Sequence, residues 1–107
     1  MMKAIRSKVA LAALVTLASS VGFAQSGGEA TYKSKCLGCH GAAGLADSSV
    51  GKALKVKPVT DATVSKMPEA DMIGAVKNGM GKMQAYKDKL TDAEIKDSVS
   101  YFRTFIK

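Results

Sequence analysis

Cys36-Leu37-Gly38-Cys39-His40 holds both cysteines and the single histidine of this 107-residue chain within five consecutive positions. A C-x-x-C-H run reads as a c-type haem attachment site. On a helical turn, two thiols three residues apart can each add across one vinyl group of a haem. The adjacent imidazole then serves as an axial ligand to the iron. Two other readings fit less well. A redox disulfide calls for a surrounding βαβ pattern, whereas this chain shows helical periodicity. A structural zinc site needs four ligands, and Cys36, Cys39 and His40 supply three.

Upstream, Lys3, Arg6 and Lys8 precede an uncharged, mostly apolar run over residues 9–21, followed by the small-residue ending Gly22-Phe23-Ala24. This pattern predicts a secretory signal peptide over residues 1–24, a periplasmic destination and a working domain over residues 25–107. An uncleaved anchor would need about 20 predominantly apolar residues, but Thr16, Ser19, Ser20 and Gly22 interrupt the run. Cleavage would remove three positive charges and lower the formal net charge from +7 to +4. The remaining basic residues are interspersed with all nine acidic ones, unlike the clustered basic stripe of a nucleic-acid binder. A domain this small buries little apolar surface on its own, and a haem would give it a large apolar body to fold around.

Three helices are expected. Residues 29–37 form the first, which delivers the cysteines, with Glu29 at its positive end. A glycine- and serine-rich loop over residues 41–58 follows, whose Leu45, Val50, Leu54 and Val56 are expected to touch the haem ring. The second helix starts near Met67-Pro68-Glu69, buries Met72, Ile73 and Val76, and ends at Asn78-Gly79. Thr91-Asp92-Ala93-Glu94 is a capping box that opens the third helix over residues 92–106, with an apolar stripe at Ile95, Val99, Phe102 and Ile106. Tyr101 and Phe105 widen that stripe, and Tyr32 and the haem are its expected partners. The fold class is therefore all-α.

With His40 as one axial ligand, the other face of the iron must take methionine, lysine, water or nothing. Met72 lies on a helical apolar face and Met67 at a helix start, where packing is the simpler role. Met80 and Met83 lie on a glycine-flanked loop, and spacing alone does not separate them.

The combination of a helix, C-x-x-C-H-G, a wrapping loop, a helix ending in Asn-Gly, a methionine loop and a terminal aromatic helix resembles the small bacterial class I cytochromes c. The likeness covers residues 28–107. In that family the late segment runs Asn-Gly-x-Gly-Lys-Met-Pro-Ala-aromatic and then Leu-Ser/Thr-Asp-x-Glu-Ile. Here it reads Asn78-Gly79-Met80-Gly81-Lys82-Met83-Gln84-Ala85-Tyr86 and Leu90-Thr91-Asp92-Ala93-Glu94-Ile95. The resemblance implies a cytochrome c fold, three main helices with loops wrapped around one covalently bound haem c. It places thioethers at Cys36 and Cys39 and axial ligands at His40 and Met83.

It further implies a monomeric periplasmic electron carrier rather than an enzyme, without a small-molecule substrate. Its partners would be periplasmic or membrane-bound reductases and oxidases. Lys33, Lys35, Lys82, Lys87 and Lys89 would form a positive rim toward acidic partners. Two positions depart from the family. Gln84 replaces a proline that stiffens the loop, which predicts a more mobile loop and a weaker Fe–S bond. Ser49 replaces a proline whose carbonyl accepts the Nδ1–H of the axial histidine, leaving a serine carbonyl for that bond. If the methionine loop failed to ligate, a five-coordinate haem would bind ligands or catalyse instead.

Overall fold

The structure, a computed structural model, describes residues 23–107. The expected leader, residues 1–24, lies outside the described residues except for its last two. Among the described residues, six helical segments follow in order: α1 (Phe23–Lys35), α2 (Leu37–His40), α3 (Ser49–Ala53), α4 (Ala62–Ser65), α5 (Glu69–Asn78) and α6 (Asp92–Arg103). Among the described residues there is no strand, only an isolated bridge between Met80 and Met83. No described helix is long and apolar enough to cross a membrane.

The frame is the crossing of α1 on α6. Tyr32 of α1 is 1% exposed, with Tyr101, Phe102 and Phe105 around it at ring-centroid distances of 5.3, 6.0 and 5.5 Å. Burying aromatic rings at such spacings contributes both area and favourable ring geometry. The phenol is not left unpaired, since it donates to the carbonyl of Gly41 at 2.5 Å. Gly28 is also buried at this crossing. A Cβ there would come within 2.9 Å of the Asp97 carbonyl carbon, so the two backbones meet with no side chain between them.

That contact lets α1 run through Gly27 and Gly28, whereas the sequence predicted a start at Glu29. Each interior glycine costs about 1 kcal/mol of helix propensity, and the packing of α1 on α6 outweighs it. Helix α5 lies on the other side of α6. Glu69 accepts from Ser100 at 3.2 Å, Arg103 donates to the Met67 carbonyl at 2.9 Å, and Lys77 pairs with Asp92 at 3.0 Å. Tyr86, Leu90 and Ile95 form a core between them, with Ile73, Val76 and Met83 packed against it.

Helix α6 begins at the expected capping box, with the Thr91 hydroxyl and Glu94 carboxylate each accepting from the other's backbone N–H. It ends at Arg103 rather than residue 106. The next residues turn more tightly, as in the Phe105 N–H donating to the Phe102 carbonyl at 3.1 Å. The expected loop over residues 41–58 contains α3, which Ser48 caps by accepting from the Gly51 N–H. Helix α3 closes with the Val56 N–H on the Gly51 carbonyl at 2.9 Å and Lys55 at φ +56°. This is a Schellman-type end with lysine where glycine is usual.

Candidate haem site

Cys36 follows α1 directly, its N–H donating to the Tyr32 carbonyl at 2.8 Å, and the His40 N–H returns to the Cys36 carbonyl at 3.0 Å. One turn of helix therefore carries both thiols and the imidazole. The Ser48 hydroxyl donates to the Gly38 carbonyl at 2.7 Å, tying the start of α3 to this turn. Both cysteines are free and half-buried. Burial, followed by the neighbouring Cys39, pushes the Cys36 thiol up to about 11. Burial lowers the His40 pKa, which favours the neutral imidazole that a metal requires.

The His40 ring packs edge-on against Phe102 at 5.3 Å. Its Nδ1 is buried without a hydrogen-bond partner, so the carbonyl of Ser49 does not make the bond expected of it. Ser49 is instead the first residue of α3, where its carbonyl belongs to the helix.

The methionine loop returns to α5. Met80 and Met83 exchange both backbone hydrogen bonds, at 3.1 and 2.9 Å, around Gly81 and Lys82. Gly79 has φ +80°, and a Cβ there would stand 2.8 Å from the Met83 carbonyl oxygen. Only glycine allows this close return. Met80 is 58% exposed, whereas Met83 is half-buried against the Tyr86–Leu90–Ile95 core.

One open cavity of about 720 Å³ among the described residues is lined both by Cys36, Cys39 and His40 and, far along the sequence, by Met80 and Met83. Ligand pockets run from about 300 to 1,000 Å³. Tyr32, Val99 and Phe102 contribute apolar wall. Leu54 and Val56 line it as expected, but Leu45 and Val50 do not and are 45% and 50% exposed. Val64 and Met67 are wall residues that sequence reasoning missed. Met67 carried a signal of ambiguous kind, a methionine at a helix start, and Val64 carried none.

At the mouth, Lys35 and Lys82 are joined by Lys55 and Lys57. Lys33 is paired with Glu29 at 2.7 Å, and Lys89 turns onto Gln84. Among the described residues, no three His, Cys, Asp or Glu side chains converge as a cation site, so the zinc reading has no ligand set there.

The residues present fit a haem. The cavity is large and mainly apolar, two thiols stand one turn apart on its wall, and the sealed Nδ1 of His40 leaves Nε2 as the nitrogen available to iron. Fold and site together define a small class I c-type cytochrome. Residues 24–102 match the family described as cytochrome C oxidase, cbb3-type, subunit III, and the chain belongs to that family. Among solved structures it is similar to the KustC0563 c-type cytochrome, at 31% identity and a TM-score of 0.64, over 71% of this chain and 93% of that chain. No curated protein matches. Family and fold carry haem binding and haem-based electron transfer with them.

Proposed function

We propose that this chain is a periplasmic monohaem electron carrier in which Cys36 and Cys39 form the thioethers and His40 and Met83 are the axial ligands. The observation that carries this reading is that Cys36, Cys39, His40 and Met83 line one cavity although more than a third of the chain separates Met83 from the other three. Haem supplies a ferric/ferrous couple that moves one electron at a time. Met83 is favoured over Met80 because its packing against Tyr86, Leu90 and Ile95 fixes where its thioether lies, whereas Met80 is mostly in solvent. A half-buried His40 on one side and a thioether on the other would leave no open coordination position. Such a centre transfers electrons without binding oxygen, and thioether ligation favours the reduced state.

The lysines at the cavity mouth, Lys35, Lys55, Lys57 and Lys82, would steer acidic redox partners of the periplasm or its membrane to the haem edge. Expression with export and haem-attachment machinery tests the whole reading. It predicts one haem per chain, retained through acid extraction. It also predicts that the oxidised spectrum carries a far-red sulfur-to-iron charge-transfer band and the reduced spectrum is that of a six-coordinate low-spin haem. Haem that is lost to acid, or a five-coordinate spectrum, overturns it.

A further inference from the structure

Gln84 follows Met83 directly, and its side chain is held at both ends. Its amide Nε2 donates to the Tyr86 hydroxyl at 3.1 Å, and its Oε1 accepts from the Lys89 ammonium at 2.6 Å. The Tyr86 hydroxyl in turn donates to the carbonyl of Lys35 at 3.2 Å. Lys35 is the last residue of α1 and the one immediately before Cys36. Carbonyls at a helix C-terminus lack intrahelical partners, so the phenol takes up a group that would otherwise be unpaired.

The Tyr86 ring is itself fixed. It is buried in the core with Leu90 and Ile95, and its backbone N–H donates to the Val76 carbonyl of α5 at 2.9 Å. One hydroxyl therefore accepts from the residue after Met83 and donates to the residue before Cys36. The segment carrying one half of the site is referenced directly to the segment carrying the other half.

We propose that Gln84 and Tyr86 are positioning residues for Met83, a side-chain clamp that holds the methionine loop closed where the backbone has no proline at position 84 to stiffen it. This rests on Met83 being the axial ligand. Both residues line the cavity, and neither is proposed as a ligand to the iron. They act by lowering the population of loop-open states in which Met83 is withdrawn, and an exogenous ligand can bind ferric iron only in those states.

The test is an imidazole titration of the ferric holoprotein, followed by loss of the far-red sulfur-to-iron band. Gln84→Ala and Tyr86→Phe should each tighten apparent imidazole binding about three- to tenfold, the factor expected from one neutral hydrogen bond. Because they share a bond, the double variant should fall short of the product of the two. Thr91→Ala, which weakens α6 without touching the loop, should leave imidazole affinity unchanged. Wild-type affinity in both single variants overturns the clamp, as does an equal shift in Thr91→Ala, which would reflect general softening. Wild-type ferric protein without the band overturns the ligand reading itself, and the clamp with it, which distinguishes the two failures.

Discussion

Gly28 of α1 lies against the backbone of Asp97 in α6, so that a single added methyl carbon would stand 2.9 Å from the Asp97 carbonyl carbon. The helix that leads into the candidate haem-attachment turn is therefore seated on the terminal helix by backbone contact. Gly28→Ala gains at most about 1 kcal/mol of helix propensity and incurs overpacking of about 1–3 kcal/mol. The substitution should destabilise the holoprotein by about 1–2 kcal/mol. Urea unfolding measures this, and a variant as stable as wild type would show that the helices can move apart without cost.

At the other end of α6 the capping box sets an acid limit. Hydrogen bonds from the Thr91 backbone and side chain hold the Glu94 carboxyl below the usual glutamate range. A depressed carboxylate pKa contributes stability above the ordinary glutamate pKa and loses it as pH falls through the lowered value. Thr91→Ala should cost about 1 kcal/mol at neutral pH, and Glu94→Gln should flatten the acid side of the stability profile. Thermal unfolding from neutral to acid pH checks both, and parallel profiles for wild type and Glu94→Gln would contradict the assignment.

Lys55 closes α3 in the left-handed region, at φ +56°, which costs a non-glycine residue about 1–2 kcal/mol. Lys55→Gly removes that strain and returns part of the gain as unfolded-chain entropy, about 0.4–1 kcal/mol. The variant should be more stable than wild type by up to about 1 kcal/mol. A loss of stability would mean that contacts of the lysine side chain outweigh its backbone strain.

Charge at the cavity mouth should govern the rate of partner encounter. Lys57→Gln should slow electron transfer with an acidic redox partner and reduce its dependence on ionic strength. Lys33→Gln, whose charge is paired with Glu29, should change both much less. Stopped-flow rates across a salt series make the comparison. Equal effects from the two would remove the mouth lysines from the account.

Much of the site was legible because its chemistry is local in sequence. Residues 36–40 declare a candidate attachment turn by residue type and spacing, and residues 91–94 declare the start of α6 by the same means. What escaped depends on distant partners. The glycine pair at 27 and 28 reads as a helix boundary until Asp97 lies against Gly28. Leu45 and Val50 look like wall residues beside Leu54 and Val56, yet the cap at Ser48 starts a helix that leaves both exposed. The contacts of Gln84 escaped because nothing near it in sequence shows that the Tyr86 hydroxyl it meets also reaches Lys35. The imidazole–Ser49 bond was inferred from family position, and the Nδ1 of His40 has no partner in the structure.

The central claim is that the 36–40 turn and Met83 close on one iron. The far-red absorption of ferric holoprotein tests it most directly, compared among wild type, Met83→Ala and Met80→Ala. The account predicts the sulfur-to-iron band in wild type and Met80→Ala and its loss in Met83→Ala. A band that survives in Met83→Ala, or disappears in Met80→Ala alone, would contradict it.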